Sequence, residues 1–229
     1  ILKFSKNLAL TRLSLIKKET NVLNEKCKIL DIGAGNASFG IALQVINNNA
    51  IYDVVEPDTK VRAMYGGQVN QQYSDITDVV ENNYDLAVLN QVLEHLPEPI
   101  EFIQSICELL KDQGVLYIDV PFKDYLFKPS VEPHILFWSP KSLSFLIEKI
   151  GMKLVFCDTV GMKHEKAKKY FCNKTMFDKF HNPWSYVNKL NQFMKKINLP
   201  QPFDTFKHFN ANEYGGDRQW LRCIAQKIV

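Results

Sequence analysis

Two groups of residues in this chain could do chemistry. The stretch ILDIGAGNASFG (residues 29–40) sets one acid, Asp31, among three glycines in an apolar run, and five histidines lie further along. Asp-x-Gly-x-Gly, formed by Asp31, Gly33 and Gly35, suits a tight strand-to-helix turn where a ligand can lie against bare backbone. Glu56 ends the apolar run of VVEPD, 23 residues after Gly33. An acid at the tip of the second strand, about 20 residues beyond such glycines, is placed to bond two ribose hydroxyls. The pair therefore points to an adenosine-type ligand. A pyrophosphate-bearing dinucleotide is disfavoured, because its G-x-G-x-x-G/A pattern needs a small apolar sixth residue and Ser38 stands there.

The histidines are His95, His134, His164, His181 and His208. Histidine is the natural base for a hydroxyl near neutral pH. No His/Asp/Glu group has metal-ligand spacing in the sequence, so no metal site is expected. The run KHEKAKK (163–169) reads as a solvated helix face.

The elements that must position these residues alternate. Residues 2 to 23 have helical apolar spacing. Arg12 interrupts the patch and no small-residue cleavage site follows, so an amphipathic helix is expected rather than a signal peptide. CKILDIG, IYDVVEP, VNQQYSD, YDLAVLN, GVLYIDVP, MKLVFCDTV and QWLRCIAQKI read as strands. NASFGIALQVI, TKVRAMYG, EPIEFIQSICELLKD and SPKSLSFLIEKIG read as the helices between them. Such alternation implies an α/β fold with a mostly parallel sheet and helices on both faces. Residues 161 to 210, rich in Lys, Asn and aromatics, break the pattern, and a helical lid insertion before the last strand is expected there.

At 229 residues the whole chain, 1–229, suits one domain. A net charge of +3 is too mild to argue for nucleic acid, and no apolar run approaches a membrane span. Five cysteines without a C-x-x-C pair favour reduced thiols and a cytoplasmic location.

ILDIGAGNAS, VVEPD, YSDI, YDLAVLNQVLEHLPEP and LLKDQGVLYIDVPF, in that order and spacing, resemble the class I S-adenosylmethionine-dependent methyltransferases. The LEHL segment and EPHILFWSPKSLSFLIEKIGMKL are similar to the branch acting on small molecules, including quinone-precursor and sugar-type acceptors. The match runs from about residue 27 to 160, plus the final strand; one departure is Ala37, where the family usually has a third glycine. The resemblance implies a Rossmann-like seven-stranded sheet and S-adenosylmethionine as cofactor. It places Asp31, Gly33 and Gly35 around the methionine end and ribose, Glu56 on the ribose hydroxyls, and Asp75 and Ile76 at the adenine. Asn90 and Gln91 would line the pocket. Asp75 equally suits a turn or helix cap.

His134, past the fifth strand, would lie on the acceptor side as base or hydrogen-bond donor, and His95 is either catalytic or structural. The expected partner is a small-molecule acceptor, anionic or sugar-type, with surface-polysaccharide synthesis as one setting. Nucleic acid is not expected as a partner: the Asn-Pro-Pro-aromatic motif of base methylases is replaced by NQVL, and NPWSY (182–186) lies in the wrong segment. The alternatives are a binder of the cofactor without catalysis and an RNA or protein methyltransferase.

Overall fold

The computed structural model describes the backbone of residues 2–24, 26–128, 130–172 and 213–228. Seven strands form one sheet: β1 (Lys28–Ile32), β2 (Ile51–Val55), β3 (Gln72–Tyr73), β4 (Tyr84–Asn90), β5 (Leu110–Pro121), β6 (Met152–Lys163) and β7 (Arg218–Lys227). Their order is β3-β2-β1-β4-β5-β7-β6. The pairs from β3 through β5 are parallel, while β7 runs antiparallel to both β5 and β6. The order reverses between β1 and β4, which opens a crevice at their carboxyl ends. The expected mostly parallel, Rossmann-like α/β sheet is present.

The period-2 alternation of the strands sorts their side chains onto two faces. Leu30, Ile32, Leu89, Leu116 and Ile118 meet Ile103 and Ile106 of α4 (Pro99–Leu109) and Leu143, Leu146 and Ile147 of α5 (Pro140–Lys149). Ile29, Val54, Leu86, Val88 and Tyr117 meet α1 (Leu2–Glu19), through Ala9, Leu13 and Ile16, and α2 (Ser38–Ile46), through Phe39, Ala42 and Leu43. Helices thus cover both faces. Among the described residues, no helix is long and apolar enough to cross a membrane.

Local chemistry sets the ends of several elements. Asp58 caps the short α3 (Thr59–Arg62) by accepting from Lys60 N–H at 2.8 Å. Ser139 and Ser142 cap α5 reciprocally, with Pro140 in its first turn. The helix expected to run to Gly66 stops at Arg62, and the third strand shrinks to two residues. β6 continues to Lys163 rather than ending at Val160, because Gly161, at φ +100, leaves room for the Trp220 ring. The irregular segment therefore begins three residues later than residue 161, with α6 (His164–Cys172). In the KHEKAKK run, Glu165, Lys166 and Lys168 are exposed, whereas His164 and Ala167 are buried. The remainder of the expected lid, with His181 and His208, lies outside the described residues.

Candidate functional site

At the β1–α2 junction, Gly33 (φ 69) and Gly35 (φ 53) both take the left-handed conformation that favours glycine. A Cβ on Gly33 would meet Val92 Cγ2 at 2.5 Å, while one on Gly35 would project into open space. Glu56 is only 8% exposed and clasps this turn: Oε2 accepts from Gly35 N–H and Oε1 from Asp58 N–H, each at 3.0 Å. Glu56 therefore carries a structural burden beyond the ribose contact expected of it. Ala37 also sits in the left-handed region, at φ 51. Its methyl is buried among the α1–α2 core residues, so the departure from glycine costs backbone strain of about 1–2 kcal/mol rather than space in the turn.

Asp31 is buried beneath the turn, with Oδ2 accepting from Tyr52 OH at 2.6 Å and Oδ1 lacking a protein partner among the described residues. Burial raises its pKa to about 7, against the opposing pull of the Tyr52 hydrogen bond and Arg12. Asn90, at the end of β4, likewise has a buried Oδ1 with no partner among the described residues. Gln91 (φ 58) is pinned to β5: its N–H donates to Asp119 O at 2.8 Å and Nε2 to Asp119 Oδ1 at 3.0 Å.

Asp119 anchors a buried ion network that sequence reasoning missed. Its Oδ2 accepts from Arg12 Nε and Arg222 Nε, both at 2.9 Å. Burial alone would raise Asp119, but the two guanidinium groups outweigh it and hold the carboxyl below its ordinary value. Arg12, which in sequence merely interrupts an apolar patch, is thus the residue that ties α1 to the floor of the site. Asp75 serves as a cap: Oδ1 accepts from the Thr77 N–H (2.9 Å) and hydroxyl (2.8 Å), and Ile76 packs partly against the core.

Beyond Gln91 the chain makes a 3-10 turn, Leu93–His95, and a second cluster gathers there. The N–H groups of Ile135 and Leu136 donate to Glu94 O at 2.9 and 3.1 Å, which fastens the 132–136 loop to this turn. His134 thereby meets His95 edge to face, with ring centroids 4.9 Å apart. His134 Nδ1 lies 3.1 Å from Asp124 Oδ2, and Lys128 Nζ donates to the same oxygen at 2.8 Å. Burial lowers the His134 pKa, with Asp124 opposing. Glu94 is 1% exposed, and neither carboxylate oxygen has a hydrogen-bond partner among the described residues. Burial raises it to about 7. One Glu94 oxygen and one ring nitrogen each of His95 and His134 lie within 4.8 Å of one another. Sequence spacing showed no such cluster; the fold builds one from two loops, and its three atoms suit proton transfer or a cation.

The turn and the strand tips suit a nucleoside ligand: Gly35 leaves space, and Asp31 and Asn90 each hold a buried oxygen that no donor among the described residues satisfies. The comparisons agree. The "Methyltransferase domain" family matches residues 6–156. The chain belongs to that family. Two similar proteins are named ubiquinone biosynthesis O-methyltransferases. That of Rickettsia prowazekii (strain Madrid E) is 27% identical over 202 residues, covering 80% of this chain and 77% of that one. That of Actinobacillus pleuropneumoniae serotype 5b (strain L20) is 27% identical over 179 residues, covering 71% and 76%. A methyltransferase structure from Archaeoglobus fulgidus superimposes with a TM-score of 0.61 at 16% identity, over 99% of this chain and 95% of that one. The chain is thus a class I methyltransferase enzyme with S-adenosylmethionine as its cofactor.

Proposed function

We propose that this methyltransferase O-methylates a phenolic hydroxyl on a small, quinone-precursor type of molecule. The observation that carries the reading is the His95–His134 pair, fixed at the carboxyl edge of β4, next to the strand tips that suit the cofactor. Burial favours the neutral imidazole of His134, the form a general base requires. A phenol, with a pKa near 10, lies within reach of such a base, whereas a sugar alcohol is a much weaker acid. The names of the relatives in Rickettsia and Actinobacillus support the same choice.

When bound, S-adenosylmethionine supplies an electrophilic methyl group on a sulfonium. The chain's own work is to hold and orient. Asp31, Gly33 and Gly35 would face the methionine end and ribose, and Asn90 and Gln91 would line the pocket. Glu56 would take the ribose hydroxyls, since its two backbone donors leave carboxylate lone pairs available. Asp75 and Ile76 would meet the adenine. His134 would accept the acceptor's proton as the oxygen–carbon bond forms, with His95 lining the same side. Alignment of acceptor and methyl supplies most of the rate.

The test is transfer of labelled methyl to catechol and simple phenols, compared with monosaccharides and nucleotide sugars. Label in the phenol ethers is expected. Label only in sugars would restore the surface-polysaccharide reading. Tight S-adenosylhomocysteine binding with no transfer to any acceptor would favour a non-catalytic binder.

A further inference from the structure

Asp124 is absent from the sequence reading and from the roles assigned above, yet it is 1% exposed beside His134. It opens a 3-10 turn, Asp124–Leu126, just past β5. That turn is closed by bonds from the N–H groups of Phe127 (3.0 Å) and Lys128 (2.8 Å) to Asp124 O. The same turn brings Lys128 Nζ back onto Oδ2, four residues after its partner. One oxygen thus accepts an aligned hydrogen bond from an ammonium and lies 3.1 Å from an imidazole Nδ1, a contact short of hydrogen-bond alignment that a small turn of the ring would complete.

We propose that Asp124 is the positioning residue of His134, holding its ring in the Nδ1–H tautomer so that Nε2 keeps the lone pair that removes the acceptor's proton. This rests on the base role of His134 given above. The physical reason is the donor inventory. Asp124 Oδ2 can only accept, so it favours whichever tautomer carries hydrogen on the nitrogen facing it. Lys128 supplies the cation beside the carboxylate, so the contact orients the ring without requiring an imidazolium. The loop cannot easily swing the ring away, because Ile135 and Leu136 are bonded to Glu94 O and His134 N–H donates to Val131 O at 2.8 Å. A carboxylate that orients a histidine base in this way is a recurrent device in hydrolases; here it would serve methyl transfer.

The test is the ring tautomer of His134, read from long-range proton–nitrogen couplings of the ¹⁵N-histidine-labelled full chain with S-adenosylhomocysteine at alkaline pH. The Nδ1–H form is expected in the native protein. Asp124→Ala should shift it to Nε2–H and lower kcat on catechol by about tenfold or more, with the Michaelis constant and S-adenosylhomocysteine affinity within about twofold. If Asp124→Ala does not fold, Asp124→Asn should keep the native tautomer, since Lys128 holds the amide oxygen in place. Adding Lys128→Met to it lets the amide NH₂ turn to Nδ1 and switches the ring. A native tautomer in Asp124→Ala, or in the double variant Asp124→Asn with Lys128→Met, overturns the inference.

His134→Ala separates the two ideas. Full activity in that variant removes the base reading itself. Lost turnover in His134→Ala, with native tautomer and rate in Asp124→Ala, sinks only the positioning role. Activity abolished by a chelator and restored by a divalent ion, with both His134 nitrogens deprotonated or metal-shifted, would make the ring a ligand and also overturn the proposal.

Discussion

The two ends of the crevice are built differently. At the cofactor end, polar groups largely satisfy one another: Glu56 with the backbone of Gly35 and Asp58, Gln91 with Asp119, and Asp119 with Arg12 and Arg222. At the acceptor end, both oxygens of Glu94 and Oδ1 of Asp124 are buried with no hydrogen-bond partner among the described residues. An unsatisfied buried polar group costs about 1–3 kcal/mol, so a purely structural loop would not retain three of them. On the function proposed above, the difference is that between a prearranged binding frame and a set of groups kept available for chemistry.

The sharpest way to break this contrast is to truncate one residue from each end. His134→Ala should lower kcat by about 10² to 10⁴, the usual weight of a positioned base, and leave S-adenosylhomocysteine affinity within about twofold. Kinetics on the true acceptor that match the native enzyme would remove His134 from the site. Glu56→Ala should do the reverse. Affinity should fall by about 1.5–3 kcal/mol, the scale of hydrogen bonds to a charged group. Because the carboxylate also clasps Gly35 and Asp58, the ligand-free chain should lose thermal stability as well. Calorimetry and a melting curve on one preparation check both; unchanged affinity with lowered stability would make Glu56 a turn brace alone.

What the sequence could reveal follows the same division. The glycine turn, Glu56 and the alternation of strands and helices are written in local spacing, so the turn proposed to hold the cofactor was legible from residues 29 to 56. Asp75 carried two local meanings, and the cap is the one that hydrogen bonding displays. Arg12 was misjudged because its partner, Asp119, is 107 residues away in the chain. The Glu94–His95–His134–Asp124 cluster depends on a tertiary event, the docking of Ile135 and Leu136 onto Glu94 O. The sequence marked His95 and His134 as candidates, but not Glu94 or Asp124, nor that the four would meet.

Asp31 and Asn90 are the exceptions at the cofactor end, and Asp31, the one that can ionise, gives the finest test of the contrast. It is fully buried, faces Tyr52 OH from β2, Arg12 from α1 and Glu56 from the β2 tip, and still has a pKa raised to about 7. A carboxyl whose folded value exceeds its unfolded value of about 3.9 binds its proton more tightly in the native state. Its contribution to stability is therefore fully present below pH 4 and is lost as pH rises toward 7. The loss should approach about 1.4 kcal/mol per pH unit within that window and level off above it. Asp31→Asn cannot ionise, so the native-minus-variant difference in urea unfolding of the ligand-free chain should carry this slope. A difference that is flat from pH 4 to 7 would mean Asp31 is as well satisfied as its neighbours. Asn90 would then be the one group at the cofactor end with a buried oxygen left unpaired among the described residues.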